Sequence, residues 1–181
     1  INFQFQRFRT ILENPDPKIA LTIANSIWAR KGLPFEEDFL EKNKTYFDAK
    51  TTELDFDSPE AANIINKWVR DKTNNKIDKM VNPPINPDTI MFLMNAIYFN
   101  GTWETEFDSK LTKDRPFYLA DGTSKEVPMM ERKDDFLYLE DDGFQSVYLP
   151  YGSGDGRIGM YIFLPVEYSS LDEFVAGIDS I

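Results

Sequence analysis

The run Ile90-Met91-Phe92-Leu93-Met94-Asn95-Ala96-Ile97-Tyr98-Phe99 has a single polar interruption and leads through Asn100-Gly101-Thr102-Trp103 to Phe107. Alternate residues of a strand face opposite sides. A run that is apolar at both odd and even positions is therefore not a half-solvated strand, and the pattern predicts a central strand covered on both sides. Asn95 is the exception in its middle. A carboxamide buried without partners costs several kcal/mol, about 2–7 depending on the reference state. Asn95 is thus expected to be buried and to hold neighbouring strands or loops together by hydrogen bonds.

Composition removes several function classes. The 181 residues are 41% hydrophobic and 14% aromatic, enough for a packed core. There is no cysteine and no histidine, which excludes disulfides, thiolate zinc sites, cysteine nucleophiles and any Ser-His-Asp triad within these residues. No segment reaches the length of apolar run that spans a membrane, and Ile1-Asn2-Phe3-Gln4 lacks the charged start and apolar core of a signal peptide. The net charge, 20 − 31 = −11, repels phosphate backbones, so nucleic acid is not an expected partner. The basic residues Lys67, Arg70, Lys72, Lys76 and Lys79 gather near the end of a predicted helix, where cations complement the helix dipole.

Several elements follow from periodicity. Ala20 to Ala29 reads as a strand ending at Lys31-Gly32. Phe35, Phe39, Leu40, Asn43, Tyr46 and Phe47 share a helical face, with Glu36-Glu37-Asp38 at the positive end. Thr52, Leu54 and Phe56 alternate with acidic residues as a strand with one wet face. Ser58-Pro59-Glu60 opens a helix whose buried stripe is Ala61, Ile64, Ile65, Trp68 and Val69, fading at Asn74-Asn75. Asn82-Pro83-Pro84-Ile85-Asn86-Pro87 is a rigid connector. A β-meander then runs through 116–119, 125–130, 136–139, 144–151 and 158–164, with turns at Asp121-Gly122 and Asp141-Asp142-Gly143. Ser170 and Glu173 have the spacing of a capping box for a last helix.

Candidate chemistry is sparse. Gly152-Ser153-Gly154-Asp155-Gly156 lies between two strands and opens no helix, so it reads as a hairpin loop rather than a phosphate cradle. Glu104 and Glu106 merely share a strand face, and Asp134, Asp135, Glu140, Asp141 and Asp142 lack the spacing of a calcium loop. No catalytic residue, cofactor site or metal site is expected. Asn43-Lys44-Thr45 and Asn100-Gly101-Thr102 are sequons at a chance frequency.

The pattern Asn95, Ala96, Ile97, Tyr98, Phe99, Gly101, Trp103 and Phe107 resembles the signature of the third strand of the large sheet in serpins, protease inhibitors that act by conformational change. Asp88-Thr89, Val127-Pro128-Met129-Met130 and Phe163-Leu164-Pro165 resemble serpin segments in the same order. Asn100 departs from the family, which commonly carries lysine there. The resemblance implies an α+β fold: a large mixed sheet crossed by the helix of Ile64, Ile65 and Trp68, plus smaller antiparallel sheets. It also implies a suicide-substrate mechanism, in which a serine or cysteine protease cleaves a reactive loop that then inserts into the large sheet of a metastable protein. The strand 90–99 would flank the slot. Asn95, Gly101 and Trp103 would belong to the conformational switch, at the sheet centre and at the loop's point of insertion.

The resemblance covers nearly all of the chain but about the central half of a single serpin domain. N-terminal helices, the strand beyond the slot, the reactive loop and the C-terminal strands are expected to be supplied by the remainder of the domain. Two alternatives stand beside the inhibitor: a non-inhibitory serpin-fold carrier or chaperone, and a stand-alone α+β binding module. No enzyme, membrane or nucleic-acid role is expected, and an extracellular location is favoured over an intracellular one.

Overall fold

The structure, a computed structural model, describes residues 2–13, 16–154, 158–166 and 169–178. It divides into two compact units, residues 1–100 and 101–181.

In the first unit, α1 (Asn2–Leu12), β1 (Ile19–Arg30), α2 (Glu37–Phe47), β2 (Lys50–Leu54), α3 (Ala61–Lys72) and β3 (Met91–Gly101) follow in order. The strands form one sheet in the order β2-β1-β3. β1 and β2 are parallel, in register from Ser26 opposite Lys50 to Arg30 opposite Leu54. The end of β1 meets the start of β3, where Arg30 N donates to Ile90 O at 2.9 Å.

The alternation of β1 sorts its side chains between two helical layers. Trp28 and Ala24 face α3 and join a core with Phe56, Ala61, Ala62, Ile65, Trp68, Val69, Val81, Ile85 and Ala96. Trp28 and Trp68 meet edge to face, with ring centroids 6.2 Å apart. The indole nitrogen of Trp28 donates to Ser26 Oγ at 2.8 Å, so a fully buried ring leaves no polar atom unpaired. Ile23 and Asn25 point the other way, toward Phe8 and Leu12 of α1 and Tyr46 and Phe47 of α2.

Four sequence expectations change or sharpen here. First, β3 lies at one side of the sheet formed by the described residues and pairs there with β1 alone, the strand beyond the slot being expected from the remainder of the domain. Its even residues Phe92, Met94 and Ala96 pack toward α3, whereas Leu93, Ile97 and Phe99 are exposed. Period-two patterning reports the faces of a strand and is silent on its edges. Second, Ile64 is 42% exposed. At about 100° per residue it lies roughly 130° from the centre of the arc defined by Ala61, Ala62, Ile65, Asn66 and Val69. Third, α3 begins at Ala61, and Ser58 acts one turn earlier by accepting from Glu60 N at 3.3 Å. Fourth, a helix, α1, precedes β1; its C-terminal half carries Phe8, Ile11 and Leu12 at helical spacing.

In the second unit, β4 (Lys113–Tyr118) and β5 (Ser124–Met129) form an antiparallel hairpin. Its turn is fixed by Asp121, whose carboxylate accepts from both Thr123 N and Thr123 Oγ1, and by Gly122 at φ +83°. β6 (Leu137–Glu140), β7 (Phe144–Pro150) and β8 (Gly159–Pro165) form an antiparallel meander. Of the expected loop Gly152-Ser153-Gly154-Asp155-Gly156, residues 152–154 form a turn after β7, and Asp155 and Gly156 lie outside the described residues. The capping box opens α4 (Leu171–Ile178): Glu173 N donates to Ser170 Oγ at 3.2 Å, and Ser170 N donates back to Glu173 Oε2 at 2.9 Å.

Candidate functional site

The middle of β3 is tied to its neighbours by a relay of amides. Asn95 Nδ2 donates to Asn25 Oδ1 on β1 at 2.9 Å, and Asn25 Nδ2 donates to Phe47 O at the end of α2, also at 2.9 Å. Arg9 Nη1 of α1 donates to the same Phe47 oxygen at 3.2 Å and pairs with Asp48 at 3.4 Å. A cavity of about 260 Å³ lies over the relay, walled by Phe8, Leu12, Ile23 and Tyr46. Asn95 therefore makes the cross-strand bond its type implies, but it is exposed rather than buried.

The deeply buried amide is Asn66, which periodicity passed over as a polar break in α3. It is 6% exposed. Its Oδ1 accepts from Met80 N and Val81 N, each at 2.9 Å, and its Nδ2 donates to Val81 O at 2.8 Å. One side chain thus satisfies three backbone groups and fastens the connector before β3 onto α3. The signal was positional: Asn66 follows Ile65 and sits four residues after Ala62, inside the apolar arc. Ile65 and Trp68 are buried as expected. At the other end of α3, Asn74 Nδ2 donates to the Tyr98 hydroxyl of β3 at 3.0 Å.

Gly101 closes β3, half-buried. Beyond it, Trp103 of the second unit stacks on Tyr151, with centroids 4.2 Å apart and planes 12° from parallel. Phe107 meets Trp103 edge-on at 6.0 Å. Glu104 N donates to Pro150 O and Gly152 N donates to Thr102 O, each at 2.9 Å, which sets residues 102–104 beside 150–152 as a short antiparallel bridge. Burial raises the Tyr151 phenol above its ordinary pKa. The Arg132 guanidinium lies over Phe107 at 5.4 Å and Phe136 at 4.7 Å and donates to Thr105 O. Tyr151 lies 48 positions from Trp103 in the sequence, so no local pattern joins them.

Among the described residues no cluster of acidic side chains has the geometry to hold a metal ion. Glu104, Glu106, Asp134, Asp135, Glu140, Asp141 and Asp142 are all exposed. The chemistry available is mechanical: the first unit offers a strand bonded on one side among the described residues with a helix laid over it, and the second unit holds an aromatic stack.

A family model described as Serpin (serine protease inhibitor) matches residues 1–180. An uncharacterised serpin-like protein of Methanosarcina mazei is 35% identical over 177 residues, covering 96% of this chain and 41% of that protein. Serpin B10 of Rhinolophus ferrumequinum is 34% identical over 178 residues, covering 96% of this chain and 44% of its own. Among solved structures, the native stressed conformation of Arabidopsis AtSerpin1 superposes with a TM-score of 0.88 at 28% identity, covering 99% of this chain and 48% of that one. The thermophilic serpin tengpin superposes in its latent state at 0.83 and in its native state at 0.82, both at 30% identity and over 95% of this chain, which spans 46% and 43% of those chains. The chain spans less than half the length of these relatives.

Proposed function

The chain belongs to the serpin family, and on that premise we propose that the protein carrying it inhibits a serine or cysteine protease as a suicide substrate. In this reading the protease cleaves an exposed reactive loop supplied by the rest of the domain, and the loop inserts as a new strand beside β3. The single observation that carries the reading is that, among the described residues, β3 is bonded to β1 on one side only, so its other side is where the slot would open against the strand supplied by the rest of the domain. An edge strand presents a row of backbone donors and acceptors ready to pair with an added strand. On one face of that strand Phe92, Met94 and Ala96 are packed, while Leu93, Ile97 and Phe99 remain exposed for an incoming layer to cover. Asn95 is the central switch residue, keeping β3 bonded to β1 as the strand is added on the other side. Trp103, stacked on Tyr151, is the gate beyond Gly101.

The similarity to both the latent and the native form of tengpin supports a division of labour. Residues 1–181 act as the scaffold that receives the strand. Both compact units are read as parts of one serpin domain, completed by sequence beyond these residues, and the protein is read as extracellular and without catalytic activity of its own. No helix of the described residues is long and apolar enough to cross a membrane.

The test is to incubate the full-length protein with trypsin-like, chymotrypsin-like, elastase-like and subtilisin-like proteases and to look for an SDS-resistant complex. Such a complex with at least one protease is expected. Cleavage and dissociation with every one would contradict inhibition and leave the carrier or chaperone role.

A further inference from the structure

We propose that the hydrogen bond from Asn74 to Tyr98 is a latch that sets how readily the C-terminal end of α3 lifts from β3 when a strand is added, an inference that rests on the inhibitory reading. α3 is held to the sheet unequally along its length. Its body packs through Ile65, Trp68 and Val69, and Asn66 fastens it to residues 80–81 by three hydrogen bonds in a buried setting. Its C-terminal end is held differently. There a cavity of about 500 Å³, lined by Thr73, Ile77, Ile97 and Phe99 among others, separates the helix end from β3. The Asn74–Tyr98 bond spans that gap at 3.0 Å and is exposed to water.

The backbone is shaped for this contact. Thr73 is buried, its Oγ1 donating to Val69 O at 2.8 Å and accepting from Ile77 N at 3.1 Å, which pins the turn that follows the helix. Asn74 and Asn75 then take consecutive left-handed conformations, φ +48° and +59°. That region is unfavourable for residues with a Cβ and least so for asparagine. Asn75 N donates back to Arg70 O at 2.9 Å, closing the helix end. In this turn the Asn74 amide meets the hydroxyl of Tyr98, a residue on the same face of β3 as Ala96.

The contrast between the two ends fixes the order of events. Lifting the helix at Asn66 strands buried backbone groups, whereas lifting it at Asn74 gives up one bond that water replaces. A helix displaced by an incoming strand therefore yields first at Asn74–Tyr98 and pivots about Asn66. Asn74 and Tyr98 are positioning residues for insertion: their side chains touch no protease, and the bond between them acts through α3.

The experiment uses the full-length protein and the variants Tyr98→Phe, Asn74→Gly and the double variant. Phe keeps the ring, and Gly keeps the left-handed backbone. After cleavage of the reactive loop by a protease that forms the SDS-resistant complex, the rate of insertion is followed by tryptophan fluorescence. Hydrogen exchange at Asn75 to Ile77 is measured on the uncleaved protein. Each single variant is expected to speed both insertion and exchange by about fivefold, the scale of one exposed hydrogen bond. The double variant is expected to match the singles, because both remove the same bond. Unchanged insertion rates, or single effects that multiply in the double variant, would overturn the latch. Wild-type protein that never inserts its loop contradicts the inhibitory reading itself, and unchanged exchange in the variants then separately removes the hydrogen bond as a tether.

Discussion

Replacing Asn66 by Leu tests whether one amide fastens the connector to α3. The side chain is nearly isosteric, so the helix and the volume of the core are kept while three hydrogen bonds are lost. Met80 is largely exposed, so its N–H regains a partner in water. Val81 is 6% exposed, and its N–H and C=O stay buried without partners. At about 1–3 kcal/mol for each orphaned group, the loss is about 2–6 kcal/mol. Burying the extra apolar surface of Leu returns about 1–2 kcal/mol, which leaves a net destabilisation of about 0–5 kcal/mol, centred near 2.5 kcal/mol. Urea denaturation of the full-length protein should show a lower midpoint with an unchanged slope. Amide exchange at Val81 should rise about 30-fold or more, since each 1.4 kcal/mol is a factor of ten. A midpoint loss worth less than about 1 kcal/mol, with Val81 still protected, would refute the reasoning.

Further outcomes follow from other parts of the chain. Asn75→Gly should stabilise the protein by about 0.5–1 kcal/mol, because glycine adopts φ +59° without the steric cost carried by Asn75; a lowered thermal midpoint would contradict this. The Glu173 carboxyl is held below its ordinary pKa by hydrogen bonds from Ser170 N and Ser170 Oγ. Its contribution to α4 is therefore present above the ordinary glutamate range and is lost as pH falls through the lowered folded value, which carboxyl chemical shifts during an acid titration will report. Tyr151→Leu removes the stacking partner of Trp103; the indole emission should shift to the red with a stability loss of about 1 kcal/mol, and an unchanged spectrum would show that Phe107 alone shields the ring.

Local periodicity made much of this fold legible. α2, α3, β1 and the meander all appear near their expected positions, because each repeats a hydrophobic period over enough residues to be read. The Ser170–Glu173 box was legible for a related reason, since both partners lie within one helical turn. What the sequence concealed is non-local. The residues of β3 display which faces are apolar, and nothing in them states whether a neighbour lies on each edge. Asn95 drew attention as the lone amide in an apolar run, yet Asn66, one polar letter in a mixed helix, is the amide buried against backbone. The partners of the candidate site, Asn25 for Asn95 and Tyr151 for Trp103, lie 70 and 48 positions away in the chain and are brought near only by folding.

The central claim is that a strand adds beside β3, on the side away from β1. Hydrogen exchange across Met91 to Phe99 in the full-length protein, compared before and after cleavage of the reactive loop, tests it most directly. The account predicts that β3 amides facing away from β1 become strongly protected after cleavage, together with a higher thermal midpoint. Identical exchange of β3 in the intact and cleaved proteins would contradict it.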